Sequence, residues 1–157
     1  MSLVLACWAM PGDGGRSVPP PEGTAEDAGG RTGQTGSRIL VVEDNYFVAL
    51  TIENALADAG YEVLGVVASG EEALEYARGE PPQLVIMDIR LAGEMDGIEA
   101  AIALRVLGIT CLMASAHFDE AMKRRAAEAR PAGWLVKPFP DADLVAAVQL
   151  ALRQQGN

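Results

Sequence analysis

From Arg38 onward, the chain alternates short runs of consecutive apolar residues with longer stretches in which apolar residues recur every three or four positions. The short runs predict five β-strands, at residues 38–44, 61–67, 83–89, 108–115 and 133–139. The longer stretches predict helices, because that spacing places the apolar side chains on one helix face. Strict alternation of strand and helix predicts an α/β fold with a doubly wound parallel sheet covered on both faces.

Residues typical of helix ends support this division. Ser69–Gly70 and Asp141 predict the starts of the second and last helices, and Gly60 and Gly79 predict the ends of the first and second. A further helix is expected at residues 118–129. Each predicted strand is therefore followed by a predicted helix.

Residues 1–37 differ in composition from the rest of the chain. Residues 11–37 consist mostly of Gly, Pro, Ser, Thr and acidic residues, which offer too little apolar surface to offset the entropy lost on ordering. We predict a disordered N-terminal tail at 1–37 and one folded domain at 38–157. A misassigned start codon or a cloning artefact would give the same composition.

The first ten residues are apolar except for Ser2, and Cys7 follows Leu5 and Ala6 as in a weak lipoprotein cleavage site. This segment has no basic residue and is shorter than a secretory signal or a membrane span. No other apolar run approaches the length of a span. We therefore predict a cytoplasmic protein with no membrane partner.

The net charge of the chain indicates which kinds of partner to expect. The net charge is −10, and residues 38–157 hold 18 of the 22 acidic and 10 of the 12 basic residues, so −8 lies in the predicted domain. An acidic domain repels phosphate backbones, so nucleic acid is not expected as a direct partner. Two cysteines, Cys7 and Cys111, give no disulfide framework.

Polar side chains follow four of the five predicted strands, close to the point where each strand ends. They are Glu43 and Asp44 in the first, Asp88 in the third, Ser115 in the fourth and Lys137 in the fifth. A single carboxylate in this place is equally well explained as the cap of a turn or a helix. Because the carboxyl ends of parallel strands lie at one sheet edge, where ligands bind in open α/β folds, we expect the whole set to converge.

Three carboxylates within a few ångströms of one another would repel, and a bound cation removes that conflict. Carboxylate oxygens suit Mg²⁺, whose coordination shell in proteins is often completed by phosphate oxygens. Lys137 adds a positive charge and Ser115 a hydrogen-bond donor for a phosphoryl group. The pattern therefore indicates phosphoryl transfer, with Asp88 as the candidate nucleophile.

Four segments, "ILVVEDN", "LVIMDIRLAGEMDGIEA", "LMASAH" and "WLVKPF", resemble the response-regulator receiver domains of two-component signalling. The resemblance runs from about Arg38 to Gln155. It implies a flavodoxin-like sheet in the order 2-1-3-4-5 and a cis peptide bond between Lys137 and Pro138. It also implies a single-domain receiver, since only "RQQGN" follows the last predicted helix.

The resemblance assigns a role to each polar residue at the sheet edge. Asp88 would accept a phosphoryl group from a histidine kinase or a histidine phosphotransfer protein. The metal would be Mg²⁺, bound by Asp44, by Asp88 and by the backbone carbonyl of Arg90. Glu43 would hold the same ion through water.

The resemblance also implies a conformational switch. Ser115 would contact the phosphoryl group in the active state, and Lys137 would pair with Asp88 and then with the phosphate. Trp134 stands where the family most often has Tyr or Phe, so either its rotation is restricted and the switch is muted, or it is an ordinary half-buried strand residue. His117 either lines the mouth of the phosphoryl site or is a surface residue before a helix.

Two further features leave alternatives open. Ala92 replaces a common Pro in the loop after Asp88 and is followed by Gly93 and Glu94, which predicts a looser loop. The basic run at 123–125 would either meet an acidic partner or form a solvated helix face paired with nearby acidic residues.

We expect the output to lie in an unknown downstream protein, and a phosphorylation-dependent homodimer is a further candidate partner. The domain would not be an enzyme, although it would catalyse its own phosphorylation and dephosphorylation. One alternative is an aspartate-nucleophile phosphatase or phosphotransferase for small molecules, but Arg90 occupies the place where that chemistry commonly has a second acid. Another is a receiver-like binding module that is never phosphorylated.

Overall fold

The five predicted strands form one parallel sheet in a computed structural model of the chain, which describes residues 36–156. They are β1 (Arg38–Val42), β2 (Glu62–Val67), β3 (Leu84–Asp88), β4 (Cys111–Ser115) and β5 (Gly133–Val136). Their order is β2-β1-β3-β4-β5, and every neighbouring pair is parallel. The predicted fold class and strand order are confirmed.

Residues 1–35, the greater part of the predicted tail, and Cys7 with them lie outside the described residues. Gly36 and Ser37 already belong to the hydrogen-bonded part of the chain. The Gly36 amide donates to the Gly60 carbonyl at 2.8 Å, and the Ser37 carbonyl accepts from the Glu62 amide at 3.0 Å.

The helices follow the strands as the apolar spacing predicts. They are α1 (Tyr46–Asp58), α2 (Gly70–Gly79), α3 (Gly97–Val106), α4 (Glu120–Ala126) and α5 (Asp141–Gln155), with a 3₁₀ turn at Ala127–Ala129 after α4. No helix within residues 36–156 combines the length and the apolar character needed to cross a bilayer.

Several predicted boundaries differ from the structure; the strand expected at 108–115, for example, begins at Cys111. The helix expected at 118–129 begins at Glu120, because the Asp119 side chain caps it by accepting from the Met122 amide. Asp141, expected just before the last helix, is the first residue of α5. The last strand ends at Val136, two residues before Pro138, which has no N–H for a strand ladder.

The sheet is a buried layer between two groups of helices. Helices α1 and α5 cover one face, where Ile39, Ile52 and Leu144 are buried, and α2, α3 and α4 cover the other. All five residues of β3 are buried, as expected for a central parallel strand with helices on both faces.

The strand order places a crevice at the carboxyl end of the sheet. β1 lies between β2 and β3, so the connections that leave β1 and β3 go to opposite faces of the sheet. Such a switch point is where open α/β sheets bind ligands. The polar residues that end β1 and β3 lie there.

Candidate functional site

Three carboxylates from two strands meet in this crevice. One ligand oxygen from each of Glu43, Asp44 and Asp88 lies within 4.8 Å of the other two. Glu43 and Asp88 are buried, with 4% and 7% of their surface exposed, whereas Asp44 is exposed. The structure therefore brings together residues that are more than 40 positions apart in the chain, in the grouping expected from the sequence.

The ammonium group of Lys137 lies among these carboxylates. It makes an ion pair with Glu43, and its Nζ is 3.3 Å from Oδ2 of Asp88. The Lys137 side chain is only 16% exposed, so water screens these contacts poorly. Three carboxylates against one ammonium group leave a net charge of −2 when all four are ionised.

Burial and neighbouring charges both act on Glu43. Burial raises the pKa of Glu43, the neighbouring negative charge of Asp88 raises it further, and the hydrogen bond from Lys137 opposes both effects. A divalent cation would compensate the remaining charge. Since all the candidate donors are oxygen atoms, the site suits a hard ion such as Mg²⁺ rather than a soft metal.

Asn45 positions the turn that carries two of the carboxylates, and the sequence reasoning missed it. Its side chain caps α1 by accepting from the amides of Phe47 and Val48, at 3.1 and 3.2 Å. Its own amide donates to Oε1 of Glu43 at 3.0 Å. An Asn directly before an apolar helical pattern is a start signal that would have revealed this role.

Ser115 ends β4 at the same edge of the sheet, but its hydroxyl group bonds within its own loop. Ser115 Oγ donates to the carbonyl of His117 at 2.7 Å and accepts from the His117 amide at 3.3 Å. The His117 side chain is exposed. A contact between Ser115 and a phosphoryl group would require the hydroxyl to leave the His117 carbonyl.

Trp134 in β5 is half-buried, and its ring stacks on Phe118, with centroids 5.1 Å apart and an interplanar angle of 30°. On Phe118, the ammonium of Lys123 lies 5.1 Å from the ring centroid. Phe118 follows His117 directly, so the loop that holds Ser115 also holds the ring that covers Trp134. Sequence reasoning did not identify Phe118, which has no periodic pattern around it.

The loop after Asp88 is held by α2 and by the residues before it, although Ala92 replaces a proline. The Ala92 amide donates to the Ala68 carbonyl at 3.2 Å. Oε1 of Glu71 accepts from the amides of Glu94 and Met95, at 3.1 and 3.0 Å. The sequence predicts a looser loop, whereas the structure shows a loop held by several hydrogen bonds.

Arg90, whose carbonyl is a predicted metal ligand, lies in this loop two residues after Asp88, and its side chain is exposed. The cis peptide bond expected between Lys137 and Pro138 is present. The ligand role of Arg90, like the roles assigned to the other residues of the site, stays a prediction.

The basic run at 123–125 makes two different kinds of contact. Lys123 pairs with Glu120 at 3.3 Å on its own helix, as expected for a solvated helix face. Arg125 instead reaches Asp96, the N-cap residue of α3, at 2.6 Å. Burial alone would raise the pKa of Asp96, but the hydrogen bonds from the Glu99 amide and from Arg125 lower it overall.

A model of the response regulator receiver domain matches residues 39–149. The chain belongs to this family. Receiver domains accept phosphoryl groups in two-component signalling and interact with histidine kinases or phosphotransfer proteins, and their metal is typically Mg²⁺.

Two curated relatives illustrate the similarity. The chain is 36% identical over 118 residues to the transcriptional regulatory protein PdtaR of Mycobacterium tuberculosis, an alignment that covers 73% of this chain and 56% of PdtaR. It is 33% identical over 115 residues to the chemotaxis protein CheY of Thermotoga maritima, covering 72% of this chain and 95% of CheY. The chain thus spans little more than half the length of PdtaR but nearly all of CheY.

Solved structures show the same fold. The signal receiver domain of a modulated diguanylate cyclase from Desulfovibrio desulfuricans G20 matches with a TM-score of 0.73 and 31% identity, over 77% of this chain and 97% of that domain. A putative response regulator from Chloroflexus aurantiacus J-10-fl matches with a TM-score of 0.69 and 34% identity, over 75% and 98%.

Proposed function

We propose that this receiver domain accepts a phosphoryl group on Asp88 from a histidine kinase or a histidine phosphotransfer protein, and that phosphorylation changes the surface it offers to a downstream protein. The observation that carries the proposal is the position of the Lys137 ammonium between the buried carboxylates of Glu43 and Asp88. A core carboxylate with a cation beside it is suited to accept a negatively charged group.

The oxygen donors of the site fit Mg²⁺, which would supply positive charge to the transferring phosphoryl group. Asp44, Asp88 and the carbonyl of Arg90 would hold it directly, and Glu43 would hold it through water. The grouping of three carboxylates around one ammonium group supports this arrangement, since the cluster holds more negative charge than Lys137 alone compensates.

In the proposed reaction, a carboxylate oxygen of Asp88 forms a bond to phosphorus, and the bond from phosphorus to the histidine nitrogen of the donor breaks. The electron pair of that bond stays on the nitrogen. Lys137 orients Asp88 before the reaction, at 3.3 Å, and then interacts with an oxygen of the phosphoryl group. The chain therefore promotes the reaction mainly by positioning the reacting groups and by stabilising charge.

The loop between β4 and α4 would report the phosphorylated state. A phosphoryl group adds about −1.5 to −2 charges and three acceptor oxygens. Ser115 would exchange the His117 carbonyl for one of these oxygens, and the movement would be passed to Phe118 and its stack with Trp134. The surface formed by α4 and β5 then changes, which gives a partner protein a means of distinguishing the two states.

An apolar surface beside the site offers a place for the phosphoryl donor. Tyr46 and Phe47, which only Asn45 separates from the acidic pair, are 72% and 76% exposed. Next to them, a cavity of about 340 Å³ lies between α1 and Pro138–Phe139. We propose that the donor contacts this surface, which would bring its histidine close to Asp88.

The experiment is phosphorylation with acetyl phosphate and Mg²⁺, followed by intact-mass measurement and a Phos-tag gel. We expect one phosphoryl adduct in the wild type and in Asp58→Asn, a matched substitution at the exposed end of α1. Asp88→Asn should give none. An adduct of equal yield in Asp88→Asn would contradict the proposal.

Two further expectations are part of the same proposal. The domain acts on no small-molecule phosphate ester, so steady turnover of such esters by the wild type would instead favour the phosphatase alternative. The domain works in the cytoplasm. Phosphorylation-dependent homodimerisation is tested by light scattering, which compares the molar mass of the phosphorylated and unphosphorylated protein.

A further inference from the structure

The segment at residues 89–96, here called the Asp88 loop, connects the acceptor strand β3 to α3. It contains Arg90, whose carbonyl the proposed function makes a ligand of the cation. The direction of that carbonyl depends on how the loop backbone is held on each side of Arg90. On one side is β3, in which Asp88 is paired with Ala114 of β4.

On the other side of Arg90, the loop is held by the beginning of α2. Ala92 forms a bridge with Ser69, and its amide donates to the Ala68 carbonyl. Two residues further on, Oε1 of Glu71 accepts from the consecutive amides of Glu94 and Met95. One carboxylate oxygen thus binds two backbone donors that belong to neither a helix nor a strand.

The loop backbone is shaped to receive this carboxylate. Gly93 has a φ of +90°, and a Cβ atom placed on it would lie 2.7 Å from Oε2 of Glu71. A side chain at position 93 would therefore both strain the backbone and displace the carboxylate. The two carboxylate oxygens have separate roles: Oε1 binds the amides and Oε2 packs against the glycine.

The start of α2 is itself fixed against the same loop. A Cβ atom on Gly70 would lie 2.9 Å from Cβ of Ala100 in α3 and 3.0 Å from Sδ of Met95. This close approach sets the position of the backbone from which Glu71 extends. The hydrogen bond from its own amide, followed by those from the Met95 and Glu94 amides of the loop, lowers the pKa of Glu71, as expected when such bonds favour the carboxylate form.

We propose that Glu71 is a positioning residue for the divalent-cation site, acting through the Asp88 loop. The inference rests on the proposed function, because it concerns the affinity of that site for Mg²⁺. Without the carboxylate, the amides of Glu94 and Met95 donate hydrogen bonds to water instead, and the loop samples more conformations. Cation binding must then order the loop, which weakens binding.

The experiment compares Mg²⁺ affinity by calorimetry in the full chain for wild type, Glu71→Ala, Glu71→Gln and Glu75→Gln. Glu75→Gln is the matched control, since Glu75 is also exposed on α2 and its substitution changes the charge equally. We expect the Kd to rise about 3- to 10-fold in Glu71→Ala, below the range of substitutions closer to a metal. Glu71→Gln, which keeps one acceptor oxygen, should show a smaller rise, and the control should stay within about twofold of wild type.

A second measurement separates positioning from general stability. Amide hydrogen exchange at residues 94 and 95 of the metal-free protein should accelerate in Glu71→Ala, while the urea unfolding midpoint changes little. Faster exchange with an unchanged Kd would overturn the inference and leave the proposed function intact. A wild-type protein that binds no Mg²⁺ would overturn the proposed function and the inference together. If Glu71→Ala fails to fold, Glu71→Gln against Glu75→Gln provides the same test.

Discussion

Replacing Gly97 with alanine tests how firmly the fold holds the acceptor. Gly97 is the first residue of α3, and its amide donates to the Ile89 carbonyl at 2.8 Å. A Cβ atom on Gly97 would lie 1.9 Å from the carbonyl oxygen of Asp88, 2.7 Å from its carbonyl carbon and 2.8 Å from Cα of Ile89. All three are backbone atoms, so no side-chain rotation relieves the overlap.

The size of the effect follows from these distances. Cβ atoms essentially never approach other heavy atoms closer than 3.0 Å, so the separation from the Asp88 carbonyl has to grow by more than 1 Å. Forcing an extra carbon into a packed site typically costs about 1–3 kcal/mol. A displacement of about 1 Å at a reacting group also costs up to roughly 100-fold in rate. We therefore expect both lower stability and slower phosphorylation.

The assay is urea unfolding followed by circular dichroism, together with the initial rate of phosphorylation by acetyl phosphate. Gly79→Ala is the matched control, because Gly79 is the last residue of α2 and a Cβ atom there would have no neighbour within 4 Å. The control should be unchanged or more stable by about 0.4–1 kcal/mol. If Gly97→Ala unfolds within about 0.5 kcal/mol of wild type and is phosphorylated at the wild-type rate, the close approach does not position Asp88.

Three other substitutions have expected outcomes. Lys137→Met should bind Mg²⁺ roughly tenfold more tightly by calorimetry, because the cluster loses its positive charge. The same variant should be phosphorylated more slowly than wild type. Weaker Mg²⁺ binding by the variant would contradict the expected charge effect. Asp96→Ala should lower the free energy of unfolding by about 1 kcal/mol at pH 7. Since the pKa of Asp96 is lowered in the fold, the difference should shrink below pH 3.8 in urea titrations, and a constant difference would refute the reasoning. In a Trp8→Phe background, beryllofluoride with Mg²⁺ should change the fluorescence emission of Trp134. Adding Phe118→Leu should reduce that change by at least half. An emission change of the same size with and without Phe118→Leu would exclude Phe118 from the switch.

The alternation of apolar runs and helical spacing was sufficient to predict the sheet and its helices. β3 illustrates why, since its consecutive apolar residues are buried on both faces and leave no other placement in a layered fold. The convergence of Glu43, Asp88 and Lys137 could be predicted because the carboxyl ends of parallel strands share one edge. The strand order and the residue roles came from the family resemblance.

The contacts that hold the loops could not be predicted in the same way. Glu71 looks like any exposed acid in the first turn of a helix, and only the path of the loop 23 residues later reveals its two amide partners. Gly97 follows Asp96 in a dipeptide typical of turns, whereas the structure requires glycine there for a close backbone approach. Such contacts depend on three-dimensional distances that leave no periodic pattern in the sequence.

The same contacts determine which part of the site can move. Asp88 is fixed by its pairing with Ala114 on one side and by the start of α3 behind it, and it is buried. Ala116 and His117, in contrast, are exposed, and the hydroxyl of Ser115 holds them through a bond to a backbone carbonyl. Phosphorylation therefore adds charge to a rigidly held residue, Asp88, and the neighbouring loop after Ser115 is held more weakly. The structural response to phosphorylation should begin in that loop, and amide exchange there should change before exchange in β3 does.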